Sequence, residues 1–151
     1  VALVRDGVPV IGVVHAPARN RLWSGLPGEA SQADVDAEGR IIHRRPMRVV
    51  APSRPPRIVA SRSHNTPETD AFIAQYPGAA IVSVGSSLKF RLVAAGEADL
   101  YPRFGRTMEW DTAAGDAILR AAGGMTRTLD GVPMRYGKAP VFENPHFLAS
   151  A

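Results

Sequence analysis

The stretch WDTAAG occupies residues 110–115 and opens a helix that we predict over residues 111–122. The stretch GSSLKF occupies residues 85–90 and opens a second predicted helix over residues 86–95. One start carries an acidic residue, and the other carries two hydroxyls and a cation. Both lie where the free backbone N–H groups of a helix end bind ligands. These helix starts, together with the strands before them, decide the fold.

Strands alternate with helices from residue 57 onward. A helix begins after Thr66, a favourable N-cap, because Pro67 suits the first helical position. Apolar and β-branched runs predict strands at residues 57–60, 80–84 and 99–101 and around Met125 and Met134. This alternation predicts an α/β fold whose mixed or parallel sheet is covered by helices on both faces. Such sheets bind ligands at the carboxyl ends of their strands.

The first third of the chain has a different pattern. Apolar runs at residues 1–4 and 8–14 flank an Asp-Gly pair, which favours a hairpin turn. A third strand is predicted at residues 22–24, and residues 31–40 form either an exposed loop or another hairpin. Four prolines in residues 46–56 indicate a domain junction. We therefore predict three parts: an antiparallel region at residues 1–50, a linker at 51–56 and an α/β domain at 57–151.

The composition is that of a globular domain that favours anionic partners. The chain has 151 residues, of which 45% are hydrophobic, and it contains no Cys, which excludes disulfides and thiolate metal sites. Its formal net charge is +4, and arginines concentrate between residues 40 and 57. This charge suits a phosphorylated metabolite, a nucleic acid or an acidic membrane face, although a solvated basic linker explains it equally. No aromatic residues interleave with these arginines, so we expect no nucleic-acid polymer as a partner. We expect a cytoplasmic protein, with peripheral attachment to the cytoplasmic side of the inner membrane left open.

Asp111 is the first candidate for chemistry. A carboxylate suits a hard cation such as Mg²⁺, which prefers oxygen ligands and often combines few carboxylates with a substrate phosphate. Asp is also one of the best N-cap residues, so helix capping alone is a sufficient explanation. The neighbouring Trp110 and the small residues that follow favour ligand binding, because a cap requires neither.

The second candidate is the helix start that contains Gly85, Ser86, Ser87 and Lys89. Its backbone N–H groups and helix dipole favour an anion. Glycine permits close approach of a ligand to the backbone, and the serine hydroxyls and the lysine ammonium add donors. A Ser-capped helix with an exposed Lys is an equal alternative.

The third candidate is the turn after the first strand of the α/β domain, which contains Arg62 and His64. A guanidinium binds phosphate through two parallel hydrogen bonds, and an imidazole donates to a phosphate oxygen or stacks against a base. Without further context, a polar turn between a strand and a helix is the simpler interpretation.

Together, these motifs resemble the inositol monophosphatase-like superfamily of Mg²⁺-dependent, lithium-sensitive phosphatases. Within it they are most similar to the CysQ-type 3'(2'),5'-bisphosphate nucleotidases. The resemblance covers nearly the whole chain and rests on the segments GVPVIGVVHAP (7–17), SRSH (61–64), GSSLKF (85–90), DLYPRFG (99–105), EWDTAAG (109–115), GVPM (131–134) and NP (144–145).

The resemblance implies an α/β layered sandwich in which residues 1–50 are the end of an N-terminal antiparallel-sheet domain. It also implies hydrolysis of 3'-phosphoadenosine 5'-phosphate to AMP and phosphate, a reaction linked to sulfate assimilation. Asp111 corresponds to the catalytic, metal-binding aspartate that the C-terminal domain of the family contributes. In the family, the metal ions activate a water and neutralise the phosphate and the leaving oxygen.

The same resemblance implies roles for the other candidates. Ser86, Ser87, Lys89 and His64 match positions that hold the nucleotide and its non-scissile phosphate. Arg103 stands where inositol-hydrolysing relatives carry a Glu for the sugar hydroxyls. Because a cation suits a second phosphate better, we rank a bisphosphate nucleotidase above an inositol monophosphatase or another sugar phosphatase. A non-catalytic module that binds a nucleotide is the alternative from another functional class.

One part of the family pattern is missing. The other metal ligands of the family are a Glu and an Asp-Pro-Ile/Leu-Asp-Gly-Thr segment, and no such segment occurs in this chain. The chain also opens at Val1 rather than Met, inside a predicted strand. We therefore expect the C-terminal part of a longer phosphatase, nearly inactive by itself. The predicted hairpin of residues 1–14 would then expose an apolar edge through which copies self-associate.

Overall fold

A computed structural model describes residues 1–60, 66–83 and 88–151 of the chain. Its first five strands form an antiparallel sheet in the order β1-β2-β3-β4-β5. These strands are β1 (Ala2–Arg5), β2 (Val8–Ala16), β3 (Arg21–Leu26), β4 (Glu29–Val35) and β5 (Ile41–Met47). Asp6 and Gly7 both have positive φ, as the predicted two-residue hairpin turn requires.

The predicted region at residues 31–40 is a hairpin rather than an exposed loop. It consists of most of β4 and the turn that leads into β5, and β4 buries Ala30 and Ala33. The sequence did not predict β5, which is exposed everywhere except at Met47 and therefore lacks an alternating pattern. This strand extends into the segment for which we predicted a junction. At the opposite edge of the sheet, Leu3 and Val4 of β1 are exposed, and self-association through this edge stays a prediction.

The second sheet is mixed, as predicted, with the strand order β7-β6-β8-β10-β9. Its strands are β6 (Arg57–Val59), β7 (Ala80–Val82), β8 (Leu100–Arg103), β9 (Met125–Thr128) and β10 (Phe147–Ser150). Strand β6 pairs in parallel with β7 and β8, whereas β10 pairs antiparallel with β8 and β9. The prediction of a strand around Met134 is wrong, because only an isolated bridge between Pro133 and Arg127 forms there.

Helix α3 (Glu109–Ala121) lies between the two sheets and is buried along most of its length. It packs on β2 and β3 of the first sheet and on β9 of the second, with α2 (Leu88–Ala94) beside it. A Cβ at Gly12 would lie 2.3 Å from the carbonyl oxygen of Ala114, and a Cβ at Gly25 would lie 2.6 Å from the Cα of Ile118. Glycine in the first sheet therefore permits the close packing that makes the fold a layered sandwich.

The remaining helix, α1 (Pro67–Ala74), has the predicted N-cap, because the Thr66 hydroxyl accepts a hydrogen bond from the backbone N–H of Thr69. It packs near β8, where the rings of Phe72 and Phe104 lie 6.0 Å apart. Among the helices in the described part of the chain, none is long and apolar enough to cross a membrane.

Candidate active site

A cavity of about 520 Å³ opens at the N-terminal end of α3. Strand β2, helix α2, strand β8 and the first turn of α3 all contribute to its wall. Three of the residues that the sequence singled out line this cavity, and they come from three different elements: Lys89 of α2, Arg103 of β8 and Asp111 of α3. Three successive elements thus bring one carboxylate and two cations to a common cleft.

Asp111 is not the N-cap of α3. The alternative that Asp111 caps this helix from the N-cap position is therefore wrong. The N-cap is Met108, and Asp111 lies three residues inside the helix. From there its Oδ2 accepts a hydrogen bond from the backbone N–H of Met108 at 2.8 Å. Its Oδ1 has no hydrogen-bond partner among the described residues, and the side chain is exposed to the cavity. One oxygen of this carboxylate holds the helix start, and no described residue occupies the other.

Lys89 is half-buried in the wall of the cavity and has no ion pair with any described residue. Its Nζ lies 5.5 Å from the centre of the Tyr101 ring, a favourable cation–π geometry. Burial, with a smaller contribution from the charge of Arg103, lowers the pKa of Lys89 from its ordinary value. Burial also raises the pKa of Tyr101 to about 12, so this phenol stays neutral at physiological pH. The lysine is thus a partly desolvated cation, and an anion in the cavity would stabilise its charge.

Arg103 has hydrogen-bonding capacity to spare. Its Nη2 donates to the carbonyl oxygen of Arg106 at a long 3.4 Å, and its buried Nε has no partner in the described structure. Arg106 also lines the cavity and forms an ion pair with Glu143 at 3.1 Å. The positive wall of the cavity is therefore electrostatically suited to an anionic ligand.

Sequence reasoning missed some residues that line this cavity. Arg106 follows Arg103 by three positions in the same segment, and this spacing was the one available signal. His15, which we left without a role, lines the cavity from β2. No local pattern could place His15 there, because β2 and α3 meet only through tertiary packing.

Five predicted site residues lie outside the described part of the chain: Arg62, His64, Gly85, Ser86 and Ser87. Their roles stay predictions. Asp111 is the one carboxylate among the described residues that line the cavity. No group of three or more His, Asp or Glu side chains able to hold a metal ion exists in the described part of the chain. The described residues therefore supply a single carboxylate and do not by themselves make up a Mg²⁺ site.

Comparison with known proteins shows which family the chain is similar to. A family model described as "Inositol monophosphatase family" matches residues 1–150. The chain is 41% identical over 150 residues to the 3'(2'),5'-bisphosphate nucleotidase CysQ of Escherichia coli strain K12. That match covers 99% of this chain and 58% of the relative, so the chain spans a little under three fifths of the relative's length.

Two solved structures show the same architecture. CysQ from Bacteroides thetaiotaomicron, described as a bacterial member of the inositol monophosphatase family, matches with a TM-score of 0.85 and 41% identity, over 99% of this chain and 60% of that one. An inositol monophosphatase from Anabaena (Nostoc) sp. PCC 7120 matches with a TM-score of 0.72 over 99% of this chain and 59% of that one. At 24% identity, the second likeness concerns the fold alone. The layered α/β sandwich predicted from the resemblance is confirmed.

Proposed function

The chain belongs to the inositol monophosphatase family, and from this premise we propose that the full-length protein is a Mg²⁺-dependent phosphatase. Its proposed substrate is 3'-phosphoadenosine 5'-phosphate, and its proposed products are AMP and inorganic phosphate. The 41% identity to a 3'(2'),5'-bisphosphate nucleotidase supports this substrate class. We further propose that the reaction serves sulfate assimilation and nucleotide recycling.

The observation that carries the proposal is the cavity at the start of α3, where a free carboxylate oxygen of Asp111 shares one cleft with the cations Lys89 and Arg103. A substrate with two phosphates needs two kinds of contact. The scissile phosphate requires a group that binds a metal ion, and the other phosphate requires cations that bind it directly. Asp111 supplies the first, and the positive wall supplies the second.

The proposed reaction is hydrolysis of a phosphate monoester. The oxygen of a water forms a bond to the 3'-phosphorus, the bond from phosphorus to the 3'-oxygen breaks, and a proton from the water ends on the 3'-hydroxyl. Lys89 and Arg103 would hold the 5'-phosphate and so orient the nucleotide. Bound Mg²⁺ would act as a Lewis acid, and Asp111 would be one of its ligands.

Since the described residues offer a single carboxylate in the cavity, we propose that the remaining metal ligands precede the region that this chain spans. The 151-residue chain is then nearly inactive alone. Asp111 by itself binds Mg²⁺ too weakly, because such sites usually combine two or more carboxylates and phosphate oxygens around the ion.

The test is phosphate release by the full-length protein, with 3'-phosphoadenosine 5'-phosphate and inositol 1-phosphate as parallel substrates, each with Mg²⁺ and with a chelator. We expect Mg²⁺-dependent release and faster turnover of the nucleotide. Faster turnover of inositol 1-phosphate would identify a sugar phosphatase instead. Phosphate release by the 151-residue chain alone would contradict the proposal about the missing ligands.

A non-catalytic nucleotide-binding module is the second candidate, and the surplus of cations over carboxylates in the cavity favours it. The two candidates differ in the role of Asp111. If nucleotide binding persists unchanged in Asp111→Ala and after removal of Mg²⁺, and no phosphate is released, the module is the correct interpretation.

A further inference from the structure

A second cavity, of about 390 Å³, lies between the first sheet and α2. It shares no lining residue with the candidate active site in the described part of the chain. Helix α2 separates the two, because Lys89 and Arg91 are two positions apart in this helix and therefore point to different sides. We name the second cavity the arginine pocket, after four of its lining residues: Arg19, Arg21, Arg45 and Arg91.

The arginine pocket carries an excess of positive charge. Asp34 pairs with two of its arginines at once, with Arg21 at 3.0 Å and with Arg45 at 3.3 Å. Glu97, which also lines the pocket, pairs with Arg91 at 2.9 Å. Arg19, in the short 3-10 helix before β3, has no ion pair or side-chain hydrogen bond with any described residue. Four guanidinium groups thus meet two carboxylates, and two positive charges remain unbalanced.

Buried donors without partners form a second, independent observation. Trp23 is only 3% exposed, and its indole Nε1 has no hydrogen-bond partner in the described structure; the same holds for the buried Nε of Arg91. The two groups are neighbours, because the Arg91 guanidinium lies 5.5 Å from the centre of the Trp23 ring. Leaving a buried donor unpaired is costly, and each such group calls for an explanation. Both donor atoms are shielded from solvent, so an acceptor oxygen in the pocket reaches them only after a side chain of its wall moves.

From this arrangement we propose that the arginine pocket binds a tetrahedral oxyanion, either as free phosphate or sulfate or as the phosphate group of a small metabolite. Guanidinium groups bind such anions through paired hydrogen bonds. The volume of the pocket falls within the usual range for small-molecule sites, so there is room for more than the anion alone. The proposal goes beyond the phosphatase function and does not depend on it, because no residue of the candidate active site takes part.

The test is a titration of the ¹⁵N-labelled full-length protein with sodium phosphate, followed by the NMR signal of the Trp23 indole N–H. Loss of the signal in Trp23→Phe assigns it. We expect a saturable shift with phosphate and no saturable shift with acetate. A parallel titration with AMP distinguishes the two sources of the anion: tighter binding of AMP indicates a phosphorylated metabolite, and tighter binding of phosphate indicates the free ion.

Two variants with the same change of charge sharpen this test. Arg19→Ala removes a lining guanidinium that holds no other described group, and should weaken phosphate binding about tenfold, the usual effect of losing one charged hydrogen bond. Arg44→Ala removes an exposed arginine that is not part of the lining and should leave the affinity unchanged. An absent shift, or equal weakening in both variants, would overturn the proposal. Phosphatase activity is measured separately, so this failure is distinguishable from failure of the proposed function.

Discussion

Glu109 and Asp111 lie two residues apart in the first turn of α3, and their surroundings differ completely. Glu109 is buried and accepts three hydrogen bonds: from the backbone N–H groups of Gly137 and Lys138, at 2.6 and 3.0 Å, and from the Lys138 ammonium, at 2.5 Å. Asp111 is exposed and, among the described residues, accepts a hydrogen bond only from the backbone N–H of Met108. Glu109 lies on what we call the closed side of α3, where it holds the loop at Gly137 and Lys138. Asp111 lies on the open side, which faces the cavity, and one of its oxygens has no partner among the described residues.

The cations on the two sides differ in the same way. Lys138 is paired with Glu109 on the closed side. Lys89, on the open side, is half-buried and has no acidic partner among the described residues. A buried charge needs a partner, and a partly buried charge without one is stabilised when an anionic ligand arrives. The comparison therefore separates charges that are paired within the fold from charges that have no charged partner among the described residues.

The largest effect should follow from Asp111→Asn. Asparagine keeps an acceptor oxygen for the Met108 N–H, so we expect the stability of the fold to be almost unchanged. It loses the negative charge, and the rate of phosphate release by the full-length protein should fall about a thousandfold, the usual scale for removal of one essential electrostatic contact in an active site. The measurement is steady-state phosphate release alongside thermal unfolding.

The matched control for this change is Asp6→Asn, in the exposed turn between β1 and β2, where asparagine tolerates the positive φ equally well. Its activity should equal that of the unchanged protein. Retention of most of the activity by Asp111→Asn would show that the open side of α3 is not the reacting site.

A smaller but still large effect should follow from Gly25→Ala, which tests the packed flank of α3. The added Cβ would meet the backbone of Ile118 at 2.6 Å, and neither the helix nor the strand is free to move away. We expect a loss of about 3 kcal/mol in the free energy of unfolding, at the upper end for overpacked cores. Urea denaturation of the two proteins measures it.

The control for this variant is Gly28→Ala. Gly28 has a φ of +79° and nothing within 4 Å of the added Cβ, so the substitution reports backbone strain alone, about 1 kcal/mol. An equal loss in the two variants would mean that contact between β3 and α3 is not close.

Local sequence signals predicted those parts of the fold whose causes are local. The Asp-Gly pair predicted the first hairpin, and Thr66 and Pro67 predicted the start of α1. The alternation of strands and helices predicted a mixed or parallel sheet, and the sheet is mixed. The sequence did not predict strand β10. Its four residues follow an irregular segment and form a strand only because they pair with β8 and β9. Pairing between distant segments leaves no periodic signal in so short a run.

In the candidate site too, local sequence signals predicted some features and the tertiary structure was needed for others. Asp111 stood out because it lies beside Trp110 and before small residues, and these are neighbours in sequence. We placed the start of α3 two residues too late and therefore gave Asp111 the cap position that belongs to Met108. Glu109, to which we assigned no role in the site, holds a loop whose residues lie 28 and 29 positions further along the chain. Only the tertiary structure shows which of two nearby carboxylates is already occupied.

A third prediction concerns Glu109, the carboxylate on the closed side of α3. Glu109→Gln keeps one acceptor oxygen but removes the ion pair with Lys138. Because Lys138 is about one third exposed and water can partly replace its partner, we expect a loss of about 2 kcal/mol, below the range for a fully buried pair. Urea denaturation measures the loss, and phosphate release per folded molecule should stay within a few-fold of the unchanged protein. A thousandfold loss of activity without a loss of stability would reverse the assignment of the two sides.

The smallest effect is the dependence of this stability difference on pH. Burial alone would raise the pKa of the Glu109 carboxyl, but the hydrogen bonds from Lys138 and from the Gly137 N–H outweigh burial and hold the pKa below its usual value of 4.5. The unfolded chain therefore binds a proton at a higher pH than the folded protein does. The stability that Glu109 contributes is complete above its usual pKa and is lost as the pH falls through the lower pKa of the folded state. Urea denaturation of the unchanged protein and of Glu109→Gln across this pH range measures the difference between their free energies of unfolding. We expect this difference to be constant near neutral pH and to narrow in acid. A difference that widens in acid would mean that burial, rather than hydrogen bonding, dominates the pKa of Glu109.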